Sequence, residues 1–212
     1  MGEVFPADDP VARWLVTISV GLNDVVHANR LMDAAEEGYE TAYFFRLASL
    51  HLWELTKFIE ESHAAWDEIQ AFVATLPEKA RREHFRAIEE MGETGALASV
   101  GKELVQIRDL FVHYQEMDTQ ERKKPRDPIT KAMEGIVDET IELEIGEEVC
   151  ELRLGYADEV IGKTILRLIP DEESQVRVIG MLGEGVGHVT QFVQMALNAW
   201  LEPREEKLER VK

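Results

Sequence analysis

The chain has 212 residues, 23 basic and 42 acidic, for a formal net charge of −19 with histidine neutral. A length near 200 holds one compact domain with a sizeable core, and 45% hydrophobic with 31% charged residues excludes wholesale disorder. No apolar stretch reaches the roughly 20 residues of a bilayer span, and the negative charge repels phosphates and anionic membrane at long range, so any nucleic acid contact must be local.

The N-terminal residues Met1 to Pro6 lack the basic region of a secretory signal, and the single cysteine, Cys150, has no internal disulfide partner. Both point to a cytoplasmic protein. A first helix is expected over Pro10 to Glu37, capped by Asp8 or Asp9, with Trp14, Ile18, Leu22, Val25 and Leu31 as its buried stripe. After Gly38 a second helix carries Tyr43, Phe44, Phe45, Leu47, Leu50, Trp53, Leu55 and Phe58, a density that implies burial nearly all round and the centre of the core. Shorter helices follow near Trp66 to Leu76 and near Glu78 to Met91, the latter opened by Pro77.

Beyond the Gly92-Glu93-Thr94-Gly95 loop, a helix from Ala96 to Met117 places Leu97, Val100, Leu104, Ile107, Phe111 and Tyr114 at spacings of 3, 4, 3, 4 and 3. That is the pattern of a helix packed lengthwise in a bundle. Gln120 to Pro128 is a basic linker with two prolines, through which no helix runs. Alternation at Ile141, Leu143 and Ile145, then Val149, Leu152 and Leu154, flanks Gly146-Glu147-Glu148 and predicts a β-hairpin. A helix from Tyr156 to Ile169 ends at Pro170. The last is capped by Asp171 and runs to Leu201, with Gly180, Gly183, Gly185 and Gly187 permitting a close crossing or a kink in its middle.

The chemistry-bearing segment is Arg108-Asp109-Leu110-Phe111-Val112-His113. At about 100° per residue from Ile107, Arg108, Asp109 and His113 fall at about 100°, 200° and 240°, away from the core stripe. Asp109 reaches His113 at i, i+4 and raises its proton affinity, and Arg108 offers a planar donor fork suited to phosphate. Val105 and Val112 share this outward side, so the helix is apolar on two faces and its second face is expected to be covered by the hairpin and later helices or by a second copy of the chain.

Arg108-Asp109-(three residues)-His113 resembles the Arg-x4-6-His signature of the HEPN superfamily, in which a polar residue commonly follows the arginine. The helices before it, including Tyr43 to Leu52, are similar in texture to bacterial members, and the resemblance spans roughly residues 10 to 117. It implies a helical bundle of four or five core helices and metal-independent RNA cleavage at a homodimer interface, without a cofactor. His113 would assist attack of the ribose 2′-hydroxyl, Arg108 would stabilise the transition-state charge and Asp109 would support them. An antitoxin or nucleotidyltransferase partner is also implied. The chain departs from some HEPN toxins in having Gln115, not tyrosine, two residues after the histidine, so tyrosine modification does not carry over. Arg46 and His51 also fit the bare spacing, but among Phe44, Phe45, Leu47 and Leu50 they read as satisfied core groups.

Arg122, Lys123, Lys124 and Arg126 of the linker are candidate RNA-phosphate contacts. Lys79, Arg81, Arg82, His84 and Arg86 form a second basic cluster, and neither cluster is expected to carry exposed aromatics. Glu60-x-x-His63, Asp24-x-x-His27 and His51-x-x-Glu54 have metal-ligand spacings, but a di-iron bundle needs two Glu-x-x-His pairs and only one is present. Glu184 and His188 read as surface or interface groups. The expectation is one mainly α domain, a HEPN-like bundle at 10–117 with a basic linker and hairpin at 118–155, C-terminal helices at 156–201 and a charged tail at 202–212. As function, a toxin or defence endoribonuclease comes first, a non-catalytic dimerisation or partner-binding module second and a metal-binding four-helix bundle third.

Overall fold

Asp9 starts the first helix: its carboxylate accepts from the backbone N–H of Val11 (2.8 Å) and Ala12 (3.0 Å), and Pro10, with no N–H to satisfy, takes the first helical position. The computed structural model describes residues 4–36, 38–89, 143–144, 153–154 and 172–204. Helix α1 spans Pro10–Ala34, short of Glu37, because the chain turns extended at Ala35, whose N–H bonds back to Met32. Helix α2 spans Gly38–Ala65 and α3 spans Asp67–Thr75. Leu76 is extended, as a residue before proline prefers, and α4 then runs over Glu78–Glu89. The last helix, α5, covers Glu172–Leu201 and tightens into a 3₁₀ turn at Glu202–Arg204. The described part is almost entirely helical, and among the described residues no helix is long and apolar enough to cross a membrane.

Helices α1 and α2 pack along most of their length. Leu15, Ile18, Val25 and Ala28 of α1 are buried, as are Phe45, Ala48, Leu52, Leu55 and Ile59 of α2. The close approach occurs at Gly21, where an added Cβ would stand 3.0 Å from Leu55 Cδ1. Leu22 and Leu31 are only partly buried, whereas Leu15 and Ala28 join Trp14, Ile18 and Val25 inside. The buried arc of α1 is wider than one stripe because α5 covers it from a second side. Burial of α2 is likewise not all round, since Tyr43 is half exposed.

Three hydroxyls in α2, those of Ser49, Thr56 and Ser62, are buried and donate to their own helix at Phe45, Leu52 and Phe58 carbonyls. Ser62 also accepts the indole N–H of Trp14 at 2.8 Å. The Trp14 ring meets Phe72 of α3 and Phe192 of α5 edge-on, so one side chain ties four helices together. At the far end of α5, Trp200 donates its indole N–H to the Val4 carbonyl (3.0 Å), fixing the N-terminal segment.

Gly180, Gly183 and Gly187 have nothing within 4 Å of where a Cβ would sit, so no close crossing requires glycine at these positions, and α5 runs through them as one helix. Leu143–Glu144 (β1) and Arg153–Leu154 (β2) pair antiparallel, with Leu143 opposite Leu154 and Glu144 opposite Arg153. The intervening turn lies outside the described residues, as do the expected helices at 96–117 and 156–169.

Candidate functional site

Helix α4 has two chemically opposite faces, set by the order of its residues. Ala80, Glu83, His84 and Ala87 are buried, while Lys79, Arg81, Arg82, Phe85 and Arg86 are exposed. At about 100° per residue the exposed group forms one continuous arc in the order Arg81, Phe85, Arg82, Arg86, Lys79. The small side chains of Ala80 and Ala87 bring the opposite face close against α5.

Two polar groups lie on that inner face. The Nδ1–H of His188 on α5 donates to the Glu83 carboxylate at 2.6 Å, and Arg86 approaches the other carboxylate oxygen at 3.7 Å. His188 is therefore an interhelical tie, and Glu83 is occupied on the inside. His84 differs: it is 1% exposed and neither ring nitrogen has a hydrogen-bond partner among the described residues. Its ring packs 4.8 Å from His63 of α2 and 4.8 Å from Phe192 of α5, centroid to centroid. Burial, assisted by the neighbouring His63, lowers its pKa from 6.5 to about 4. His84, expected within the basic cluster, is instead removed from the surface and uncharged at neutral pH.

With Glu83 turned inward, no ion pair among the described residues engages Lys79, Arg81 or Arg82. Phe85 stands between the two arginines on the arc, 52% exposed, its ring set edge-on against His84 beneath it. This corrects the expectation that the cluster lacks an exposed aromatic. The helical position of Phe85, four residues from Arg81 and three from Arg82, is the signal that reveals it. Glu78, Arg81, Arg82 and Phe85 line an open depression of about 580 Å³. A second depression of about 240 Å³ lies on the α5 side, between Lys79 and the side chains of Gln191, Gln194, Met195 and Asn198. Gln191, Gln194 and Asn198 are exposed at i, i+3 and i+7, so Lys79 joins a cationic helix face to a row of neutral amides.

The other sequence candidates fall out differently. Arg108, Asp109 and His113, Val105 and Val112, and linker residues Arg122, Lys123, Lys124 and Arg126 all lie outside the described residues. Asp24 and His27 are exposed on α1, and Glu60 is exposed while His63 is half-buried beside His84. Among the described residues no group of three or more histidine, cysteine or carboxylate side chains is placed to hold a metal ion. Arg46 is half-buried with its guanidinium 5.3 Å from the Tyr43 ring centroid. Comparison with protein-family models, with curated proteins and with solved structures found no match to the chain.

Proposed function

We propose that this chain is a HEPN-like helical bundle, with a β-hairpin and C-terminal helices appended, that cleaves RNA without a metal or other cofactor. Its setting is cytoplasmic and of toxin or defence type, with an antitoxin or nucleotidyltransferase as its protein partner. One observation carries this reading: the 3/4 spacing of apolar residues predicts a helix on which Arg108, Asp109 and His113 would share the outward side with Val105 and Val112, an apolar face that a second copy of the chain would cover. In the composite site His113 takes the proton of the ribose 2′-hydroxyl as its oxygen attacks the adjacent phosphorus. The bond from phosphorus to the 5′-oxygen breaks and that oxygen takes the proton back from the imidazolium, leaving a cyclic phosphate and a 5′-hydroxyl. Arg108 stabilises the charge that builds on the phosphoryl oxygens, and Asp109 holds the imidazole tautomer. Arg122, Lys123, Lys124 and Arg126 contact flanking phosphates.

The test is cleavage of varied RNAs in the presence of EDTA, with solution mass measured in parallel. The expected result is a cleaving dimer that loses at least about a hundredfold in rate with Arg108→Ala or His113→Ala while staying dimeric. Val105→Glu with Val112→Glu is expected to give an inactive folded monomer. A wild-type chain that is monomeric, or inactive on every RNA, overturns the reading in favour of a partner-binding module.

A further inference from the structure

We infer that the outer face of α4, together with the amide row of α5, is a docking surface for single-stranded RNA, separate from the residues that would cleave it. Naming RNA as the polyanion rests on the function proposed above; the surface itself rests on four observations of its own. First, in a chain of net charge −19, Lys79, Arg81 and Arg82 point outward with no ion pair among the described residues. Second, Glu83, the acid four residues from Lys79, is 4% exposed and bonded to His188 on the inner face, so Lys79 stays unneutralised on the outer one. Glu78 is the one carboxylate lining the depression with Arg81 and Arg82.

Third, Phe85 is half exposed between those arginines and held from below by the edge of His84. An aromatic ring presented beside guanidinium groups is the pairing that stacks bases and contacts their phosphates. Fourth, beyond Lys79 the surface continues as Gln191, Gln194 and Asn198, whose amides can both donate to and accept from base edges and ribose hydroxyls. From Lys79 to Arg86 the helix covers about 10 Å, enough for about two nucleotides of an extended strand. Long-range repulsion from the rest of the chain then acts as a filter, so that binding depends on these short-range contacts.

The test is fluorescence anisotropy of a labelled, unstructured RNA oligonucleotide titrated with full-length chain carrying His113→Ala, which keeps the probe intact. Neutralising three phosphates at about 0.7 each, this face contributes about −2 to the slope of log affinity against log salt. Arg81→Gln with Arg82→Gln is expected to weaken binding at least about tenfold and to reduce the slope by about 1.4 in magnitude. Phe85→Ala is expected to weaken it about five- to a hundredfold with the slope unchanged, and Phe85→Tyr to restore it. These side chains are exposed, and matching circular dichroism melts show that each variant folds. Absence of RNA binding at low salt, or variants that bind like their parent, overturns the inference. So does poly-glutamate competing as well as RNA while Phe85→Ala has no effect, which would make the face a seat for an acidic protein. If the α4 variants lose binding but the wild-type chain never cleaves, the docking surface stands and the catalytic reading falls.

Discussion

Trp14 and His84 are both nearly inaccessible aromatic rings, and both rest against Phe192 of α5, yet the chain treats their polar atoms in opposite ways. The Trp14 indole N–H reaches Ser62 on the neighbouring helix, so α1, α2 and α5 meet around a polar group that is fully paired. His84 carries two ring nitrogens into the interior and pairs neither among the described residues. A paired buried donor contributes modestly to stability, whereas an unpaired one retains its full desolvation cost. The difference separates an unconditional part of the fold, built on α1, α2 and α5, from α4, whose attachment depends on His84 staying neutral. That conditional helix is also the one that presents Arg81, Arg82 and Phe85 outward.

The strongest way to break this comparison is at Trp14. Trp14→Ala removes the ring that touches Phe72 and Phe192 and strands the Ser62 hydroxyl's acceptor side, and a loss of about 3–5 kcal/mol in urea denaturation is expected. Trp14→Phe keeps most of the ring and loses the hydrogen bond, for a smaller loss of about 1–2 kcal/mol. Equal losses from the two variants would show that the indole N–H, not the ring packing, holds the four helices.

The second test is pH. His84 has a folded pKa of about 4, below the 6.5 it has when unfolded, because burial and the neighbouring His63 disfavour its charged form. The unfolded chain therefore binds more protons between those values, and stability rises with pH across that window. The contribution is complete above about pH 6.5 and is lost as pH falls toward 4; between pH 7.5 and 5 it amounts to about 2 kcal/mol. His84→Leu has no titrating group, so the difference between wild type and variant isolates this term from the carboxylates. The variant is expected to be more stable at pH 5 and to show a flatter profile from pH 7.5 to 5. Parallel profiles for the two proteins would mean that His84 is not held neutral by the fold.

The same contrast governs how far the sequence could be read. Helix ends were legible where a residue acts locally: Asp9 and Pro10 at the start of α1, and Pro77 before α4. Burial was less so, because it depends on how many neighbours a helix has. Two covering helices widened the buried arc of α1 to include Leu15 and Ala28, which a single stripe omits. The role of a glycine depends on neighbours in the same way: open space surrounds Gly183, while Gly21 is where two helices come close. On α4 the run of cations was visible in composition. Its sorting into an inward Glu83 and His84 and an outward Phe85 required the position of α5, to which no local signal points. Arg108, Asp109 and His113 are legible in the sequence alone, as a spacing that would place them on one side of an expected helix.

The smallest expected effects sharpen the boundary between local and tertiary causes. Asp9→Ala removes the carboxylate that accepts from Val11 and Ala12 and is expected to cost about 1 kcal/mol, since the orphaned amides at the start of α1 then turn to water. Gly183→Ala should move stability the other way. The site is exposed and helical, with open space where the methyl group would sit, so the change mainly reduces the conformational freedom of the unfolded chain. A gain of up to about 1 kcal/mol in thermal or urea denaturation is expected, with RNA binding by α4 unchanged. Gly21→Ala is the control, because its methyl group would press on Leu55 at 3.0 Å. A stabilising Gly183→Ala beside a destabilising Gly21→Ala would show that only the second glycine is kept for packing; a loss at Gly183 would place a contact on that face of α5.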